Sequence, residues 1–311
     1  MNCLVIGGAG FIGSHLCDAL HAAGDRVACV DDLSLGVKEN IAHLESSERF
    51  AFYLADAGDR ESLEAVIEKE KPAYIFHLAA NSDIQKSALE PGLEYQKTIL
   101  TTYRVLECMR KYGIKKLFFA SSSAVYGDKR DAVLDEDTPR LEPISYYGAA
   151  KLSSEALISA YAQMNSLQAV VFRFANVVGP RLTHGVILDF IKKLKTDPSR
   201  LLILGDGKQE KPYLYVTDLL NALMLVKDKA VPGMNLYTIG PDGTTSVDFI
   251  ARAVCREMRF QQVSFQYTGG AAGWQGDVPR FQYCSRKIQI EGWRAVNSSD
   301  EAVVEAIRAN L

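Results

Sequence analysis

The sequence predicts an α/β fold in which helices flank a doubly wound parallel sheet, with a smaller α/β domain towards the C-terminus. Through the first half of the 311-residue chain, short apolar or β-branched runs alternate with longer helical patterns. This alternation is typical of strand–helix–strand units. A glycine-rich turn separates the first run from the first helical pattern. After Asn176 the alternation gives way to Gly-Pro turns and shorter runs, which indicates a second domain.

The predicted elements follow one another in regular order. Strands are expected at residues 3–6, 26–30, 51–54, 74–78, 116–120 and 169–174, and helices at 11–23, 62–70, 91–112 and 145–164. They give a doubly wound sheet of six or more strands. The later part contains a helix at 187–194 and strands at 201–204 and 213–216. We therefore assign residues 1–175, with 212–240, to the first domain, and residues 176–211 and 241–311 to the second.

Composition excludes several classes of function. The net charge is −3, with 35 basic and 38 acidic residues, so no broad cationic surface is expected for nucleic acid or an anionic membrane. The six cysteines form no Cys-x-x-Cys pair and no cluster with histidine, which favours buried thiols in a reducing compartment over a metal site. Neither a long apolar run nor a basic leader is present, so we expect a cytoplasmic protein.

A glycine-rich turn predicts a dinucleotide site. Residues 7–13 read Gly-Gly-Ala-Gly-Phe-Ile-Gly, and Gly7, Gly10 and Gly13 would let the backbone approach a pyrophosphate at the helix start, with Phe11 and Ile12 in its first turn. Such a run by itself also suits plain packing. The expected acid follows, however, because Asp31 ends the second strand 18 residues after Gly13. A carboxylate there binds ribose hydroxyls and repels a 2′-phosphate, which selects NAD.

Other cofactor contacts are expected at the ends of the next strands. Asp32 either shares the task of Asp31 or caps the turn that follows it. Asp56 either reaches the adenine edge or is an ordinary turn aspartate. The remaining expected contacts are Leu33, Ser34, Ala57, Leu78, Ala79 and Ala80.

A tyrosine and a lysine stand four residues apart at the start of a predicted helix. The spacing places Tyr147 and Lys151 on one helix face. A nearby ammonium favours the phenolate and so lowers the tyrosine pKa, but this spacing alone also arises by chance. Upstream, a strand ends in three serines at the sheet edge where ligands bind. For Ser121 and Ser123, simple strand termination is the preferred interpretation.

These segments together resemble the extended short-chain dehydrogenase/reductases of the NAD-dependent epimerase/dehydratase family, and in particular the UDP-galactose 4-epimerase-like enzymes. The resemblance extends in order over nearly the whole chain. It implies a Rossmann fold, a nucleotide-sugar substrate, with a UDP-sugar favoured, and a homodimer. It makes Ser122, Tyr147 and Lys151 catalytic, with Lys151 also holding the nicotinamide ribose. Ser122, Ser123 and Asn176 would contact the substrate, and Lys211 stands where a diphosphate-binding arginine is usual or is a solvated turn lysine.

The chain also departs from the family pattern. Ser123 and Ala124 replace the Asp-Glu pair of the 4,6-dehydratases, which disfavours dehydration, and Ala124 also disfavours the decarboxylases. Thr98 stands where an asparagine near the nicotinamide is common, so we include it among the cofactor contacts. A C-terminal arginine that grips the diphosphate falls on or near Ala272 or Trp274. Asp277 matches the family frame and is compatible with a purely structural role.

Three hypotheses for function remain. The first is a 4-epimerase in which Tyr147 exchanges the hydroxyl proton and NAD takes and returns a hydride through a 4-keto intermediate. The second uses the same residues for net dehydrogenation or ketosugar reduction. The third, a non-catalytic dinucleotide sensor, is disfavoured because Ser122, Tyr147 and Lys151 are all present.

Overall fold

The computed structural model describes all residues from Met1 to Leu311. Its strands are β1 (Asn2–Ile6), β2 (Arg26–Asp31), β3 (Phe50–Leu54), β4 (Tyr74–His77), β5 (Lys116–Ser122), β6 (Val133–Leu134), β7 (Gln168–Phe174), β8 (Asn176–Val178), β9 (Arg200–Ile203), β10 (Glu210–Lys211), β11 (Tyr213–Tyr215), β12 (Gly233–Ile239), β13 (Thr245–Ser246), β14 (Ser264–Tyr267) and β15 (Gln282–Tyr283). Its α-helices are α1 (Phe11–Ala22), α2 (Arg60–Glu70), α3 (Ile84–Leu89), α4 (Gly92–Glu94), α5 (Thr101–Tyr112), α6 (Tyr146–Asn165), α7 (Val186–Thr196), α8 (Val216–Val226), α9 (Val247–Glu257), α10 (Arg286–Ile290) and α11 (Ser299–Ala309). None of these helices is both long and apolar enough to cross a membrane.

Seven strands form one sheet in the spatial order β12-β7-β5-β4-β1-β2-β3. The pairs β1–β2, β1–β4, β2–β3 and β4–β5 are all parallel. Strand order reverses direction beside β1, as in a doubly wound sheet. The predicted fold class is confirmed, and each predicted strand of the sheet lies within two residues of its observed bounds. The seventh strand, β12, comes from the second half of the chain.

The strands at the centre of the sheet are buried on both faces. Every residue of β4 and the last four residues of β1 are buried, as expected when helices cover both sides of a parallel sheet. Leu4 and Ile75 pack with Val105 and Leu106 of α5 in one core cluster. The sequence pattern is therefore a continuous apolar run in these strands, with no polar alternation.

The chain clusters into two compact units. The first comprises Met1–Val125, Tyr146–Arg173 and Leu223–Tyr237, and the second comprises Tyr126–Ser145, Phe174–Ala222 and Thr238–Leu311. The second unit has its own core, in which Ile187 and Phe190 of α7 pack with Ile250 of α9 and Val303 of α11. Its strands pair in twos: β6 with β15, β8 with β11, β9 with β14, and β10 with β13.

The helical region predicted at 91–112 is interrupted. The short helix α4 is followed by a π-helical segment, Tyr95–Leu100, and then by α5. Threonine side chains bond to the backbone around this segment: Thr101 Oγ1 donates to the Gln96 carbonyl at 3.2 Å and Thr102 Oγ1 to the Thr98 carbonyl at 2.8 Å. Threonine hydroxyls that bond to preceding carbonyls locally disturb helix geometry. Such π-helical turns are frequent at functional sites.

A buried ion pair joins α6 to β7 within the first unit. Arg173 donates from Nε to Glu155 Oε1 at 3.0 Å and from Nη2 to Oε2 at 2.6 Å. Both side chains are almost fully buried, with 4% and 3% exposed. Ser121 also donates to the Glu155 carboxylate. Paired in this bidentate way, the two charges compensate each other in a region that water does not screen.

We expect Arg173→Ala to lower the free energy of unfolding by about 3–5 kcal/mol, because Glu155 keeps a buried charge without its cation. The matched control is Arg60→Ala, which removes an exposed arginine from its i,i+4 pair with Glu64 in the same unit. Thermal and denaturant midpoints, with circular dichroism as probe, provide the measurement. Equal midpoints for the two variants would contradict this account of the buried pair.

Candidate active site

The glycine turn between β1 and α1 is shaped by close backbone contacts. Gly7 has φ +82°, and a Cβ added there would lie 2.7 Å from the Ala79 amide nitrogen. A Cβ at Gly13 would lie 2.0 Å from the Gly7 carbonyl oxygen. Both positions therefore exclude a side chain. The turn packs against the segment after β4, which includes Leu78, Ala79 and Ala80.

The start of α1 presents an anion-binding helix terminus. Its N-cap, Gly10, provides no side-chain cap for the first turn, which contains Phe11, Ile12 and Gly13. The first N–H groups of a helix have no acceptor within the helix, and the helix dipole favours negative charge at this end. The twelve-residue helix and its glycine turn thus fit a pyrophosphate.

Asp31 lies at the end of β2 and is nearly buried, with 7% of its surface exposed. Its Oδ2 accepts from the Ala9 amide and its Oδ1 from the Leu33 amide, both at 2.9 Å. Burial raises the pKa of this carboxyl, while the backbone amides oppose the rise. A Cβ at Gly36 would lie 2.5 Å from Oδ1, so the glycine leaves room for the carboxylate. The fixed carboxylate next to the turn fits the ribose hydroxyls of NAD.

Asp32 and Asp56 share one cation, which the sequence analysis did not identify. Lys97 Nζ donates to Asp32 Oδ2 at 2.8 Å and to Asp56 Oδ2 at 2.7 Å. Asp32 also accepts from the Ser34 amide at 2.9 Å, and Asp56 from the Gly58 amide at 2.7 Å. Burial alone would raise the pKa of Asp32, but the Lys97 ammonium outweighs it and lowers that pKa. Both aspartates therefore cap turns, and Ala57 beside Asp56 is buried.

Strand alternation separates the roles of the serines that end β5. Ser121 is buried and donates to Glu155, whereas Ser122, on the opposite face, hydrogen-bonds to the Tyr147 side chain. Successive side chains of a strand point to opposite faces, which explains the division. Ser123 is half-buried in a 3₁₀ turn, Ser123–Val125. Ser122 is thus the serine that reaches the tyrosine.

Tyr147 and Lys151 lie one turn apart on α6. Lys151 Nζ is 5.8 Å from the centre of the Tyr147 ring and 4.8 Å from that of Phe119. It donates to the Ala120 carbonyl at 2.7 Å, and the side chain is 2% exposed. Tyr147 is half-buried. The i,i+4 spacing, together with the end of β5, brings Ser122, Tyr147 and Lys151 into one cluster.

Burial shifts both pKa values of this pair. It raises the pKa of Tyr147 to about 12, against the hydrogen bond from Ser122, which lowers it. It lowers the pKa of Lys151 to about 8, although the carboxylates of Glu94 and Glu155 raise it. The ammonium of Lys151 therefore titrates close to the neutral range. Such a tyrosine and lysine, with a hydroxyl donor beside them, can transfer a proton to or from a substrate oxygen.

Thr98 lies in the π-helical segment and is fully buried. Its Oγ1 donates to Glu94 Oε2 at 2.8 Å and accepts from the Asn81 amide at 3.3 Å. Asn81 Nδ2 in turn donates to Glu94 Oε1 at 2.8 Å. Sequence analysis identified Thr98 but missed Glu94 and Asn81. The only signal for Glu94 was its i,i+4 spacing from Thr98.

The remaining predicted substrate residues lie in the second unit. Asn176 starts β8, and its side chain hydrogen-bonds to Tyr213, the residue opposite it in β11. Lys211 lies in β10 and is ion-paired with Asp277, whose Oδ2 accepts from the Gly273 amide at 3.0 Å. The charge of Lys211 is therefore compensated within the protein. These two contacts support the structural interpretation of Asp277.

Comparison with known proteins extends the observations on the site. The sequence matches the NAD dependent epimerase/dehydratase family over residues 3–240. It is 33% identical over 297 residues to a protein of Methanocaldococcus jannaschii named putative UDP-glucose 4-epimerase, covering 94% of this chain and 92% of that protein. A crystal structure of a UDP-galactose 4-epimerase matches with a TM-score of 0.89 and 34% identity, over 100% of this chain and 98% of that one.

A second structure, the UDP-glucose 4-epimerase of Thermus thermophilus in complex with NAD, matches with a TM-score of 0.88 and 30% identity. The match covers 99% of this chain and 98% of the chain of that epimerase. The family match spans most of the chain and includes both the glycine turn and the Tyr147–Lys151 pair. The protein therefore belongs to the NAD-dependent epimerase/dehydratase family and uses NAD as its cofactor.

Proposed function

We propose that this protein is an NAD-dependent 4-epimerase of a UDP-sugar. The observation that carries the proposal is the cluster of Ser122, Tyr147 and Lys151, which lies in the same unit as the glycine turn. Two relatives support the choice of substrate and reaction: the protein named putative UDP-glucose 4-epimerase, at 33% identity, and one of Mycolicibacterium smegmatis named UDP-glucose 4-epimerase, at 34%. Ser123 and Ala124, which replace the acidic pair of the dehydratases, favour epimerisation over loss of water.

In the proposed reaction, Tyr147 as phenolate accepts the proton of the sugar 4-hydroxyl. Bound NAD supplies a hydride acceptor and donor, and its positive nicotinamide ring favours the phenolate. Ser122 donates a hydrogen bond to the reacting oxygen. The ammonium of Lys151 favours the phenolate and holds the nicotinamide ribose. The 4-keto sugar then rotates so that its other face lies towards the nicotinamide, and Tyr147 returns the proton as the hydride goes back to the sugar. No net oxidation occurs.

We also propose a homodimer formed by α5 and α6 of two copies, packed as a four-helix bundle about a two-fold axis. The family resemblance suggests this arrangement, and the surface of α6 suits it. The exposed positions Ala149, Ser153, Ala156 and Ala160 form one stripe of small side chains along the helix. Small residues let two helices approach closely. We place this dimer in the cytoplasm, since all six cysteines are unpaired thiols.

The substrate assignment is tested by incubating the purified protein with a panel of UDP-, dTDP- and GDP-sugars. We expect 4-epimers of a UDP-sugar to interconvert, with the products separated by chromatography. The absorbance of NADH should not increase during the reaction, because the hydride returns to the sugar. Stoichiometric NADH would instead support the net dehydrogenase, and loss of water from the sugar would contradict the assignment of epimerisation.

The role of Tyr147 is tested by Tyr147→Phe, which should lower turnover by at least ~100-fold, the usual scale for losing a positioned acid or base. The ring keeps its packing, so the melting temperature and NAD binding should be preserved. Tyr146→Phe is the matched control, because the adjacent tyrosine on the same helix is 54% exposed. Turnover of Tyr147→Phe close to that of the Tyr146→Phe control would exclude Tyr147 as the base.

Two further variants separate the roles of the neighbours of Tyr147. Lys151→Met should impair both turnover and NAD binding, because the ammonium is assigned to the tyrosine and to the ribose. Ser122→Ala should have a milder effect, since a water can partly replace one hydroxyl donor. If the Lys151→Met variant binds NAD as tightly as the wild type, Lys151 does not hold the nicotinamide ribose.

The dimer is tested by light scattering at micromolar concentration, where we expect twice the monomer mass of 34.3 kDa. Ala156→Glu places a charge in the middle of the small-residue stripe and should give the monomer mass. Ala309→Glu makes the same change at an exposed position of α11 and serves as the control. A wild-type monomer, or an Ala156→Glu dimer, would contradict the proposed interface.

A further inference from the structure

Glu94 is a buried carboxylate that the proposed reaction does not use. It ends α4 and is 2% exposed. Its Oε1 accepts from Asn81 Nδ2 and its Oε2 from Thr98 Oγ1, both at 2.8 Å. Both of these partners are neutral. A buried charge without a paired cation is costly, and such groups are concentrated at functional sites.

The carboxylate is fixed from two sides. Thr98 holds it from within the π-helical segment Tyr95–Leu100, and Asn81 holds it from the chain that follows β4. The Asn81 amide nitrogen also donates to Thr98 Oγ1 at 3.3 Å, which closes the network. Because every member has a hydrogen-bond partner in another segment, the position of the charge does not depend on a free rotamer. Thr98, a member of this network, stands at the position where the family resemblance leads us to expect an asparagine.

Glu94 lies beside the helix that carries the reacting pair, because α4 and the π-helical segment Tyr95–Leu100 both pack against α6. The field of its charge therefore reaches Tyr147 and Lys151. Burial lowers the pKa of Lys151, and Glu94 is the larger of two carboxylate influences that raise it again. Burial raises the pKa of Tyr147, and Glu94 raises it further. One negative charge therefore moves both values in the same direction, because it stabilises the ammonium and destabilises the phenolate.

Other charged groups face the same pair. Glu155, from α6 itself, also acts on Lys151, but Arg173 of β7 compensates its charge. His77 of β4 lies within the field of Lys151, and burial, with a smaller effect of that ammonium, lowers the pKa of His77 to about 3, so it is neutral at physiological pH. Glu94 is therefore the carboxylate that acts on both Tyr147 and Lys151 and forms no ion pair of its own.

We propose that Glu94 is a positioning residue whose fixed negative charge sets the pH range in which Tyr147 and Lys151 work together. The proposal rests on the roles assigned above to these two residues. Turnover needs Tyr147 to release its proton and Lys151 to keep its own. Removal of the charge should make the phenolate form at lower pH and should make the ammonium deprotonate at lower pH as well. The whole active range should then move towards acid without becoming narrower.

The test compares Glu94→Gln with the wild type. The substitution is isosteric, and the amide can accept from Asn81 and donate to Thr98 Oγ1, so both hydrogen bonds are kept. The profiles are measured with NAD bound, because its positive nicotinamide ring lowers the pKa of Tyr147. Profiles of kcat and kcat/KM from about pH 5 to about pH 11 should show both limbs displaced to lower pH by about one unit, the usual scale of pKa changes in proteins. Glu90→Gln makes the same charge change at an exposed position of the adjoining segment and should leave both limbs in place.

A second readout does not depend on catalysis. Lysine labelled with carbon-13 at Cε, with the Lys151 resonance assigned through Lys151→Met, reports the protonation of this ammonium by NMR titration. We expect its midpoint to fall in Glu94→Gln and in Glu94→Met, an uncharged side chain of similar volume, and to stay at the wild-type value in Glu94→Asp. This titration tests the effect of the charge even if the assigned reaction is wrong.

Three outcomes would overturn the proposal. The first is a Lys151 midpoint that does not move in the uncharged variants. The second is displacement of the limbs towards higher pH. The third is a uniform loss of kcat with unchanged limbs in Glu94→Gln, which would make the network a purely structural support. Glu94→Asp keeps the negative charge, so its pH profiles of kcat and kcat/KM should have limbs at the wild-type positions.

Discussion

The buried ammonium of Lys151 is the constraint on which the arrangement of the candidate site depends. A cation with 2% exposure must be compensated by the protein, since water does not solvate it. The Ala120 carbonyl provides part of this compensation by accepting a hydrogen bond from Lys151 Nζ. The carboxylates of Glu94 and Glu155 provide an electric field that favours the charged form of Lys151. The end of β5, the face of α6 and the π-helical region before α5 are therefore tied to one charge.

The helix α6 links catalysis to stability through one stripe of side chains. Tyr147, Lys151 and Glu155 recur at four-residue intervals, so they lie along the same face. The first hydrogen-bonds to Ser122 at the sheet edge, and the last pairs with Arg173 in the core. Tyr147 is thus carried by the first turn of α6, and the buried ion pair of Glu155 with Arg173 anchors the same helix two turns later. This arrangement helps to pre-organise the site, because the ion pair fixes the helix that carries Tyr147 against the sheet.

The cofactor end of the site divides its carboxylates by function. Asp31 is nearly buried and bonded only to backbone amides, so its oxygens retain the capacity to accept ribose hydroxyls. Asp32 and Asp56 are both bound to Lys97, which compensates their charge and ties the end of β2 to the end of β3 through the π-helical segment. Of these three carboxylates, Asp31 is therefore the one without a paired cation and the one that could accept the ribose hydroxyls of NAD. The other two carboxylates shape the loops around it.

The sequence alone determined the order of strands and helices, the glycine turn, Asp31 and the Tyr147–Lys151 pair. These features depend on local backbone geometry and on helical spacing, which a linear pattern records. Tertiary structure decided which charges compensate each other. Lys97 is 65 residues from Asp32, and Arg173 is 18 from Glu155. Tertiary structure also brought the neutral amide of Asn81 to Glu94, 13 residues away. The π-helical segment, predicted as continuous helix, and the pairing of Lys211 with Asp277 were likewise visible only in the fold. Contacts between distant segments leave no periodic trace in the sequence, because they are selected by packing and by the need to compensate buried charge.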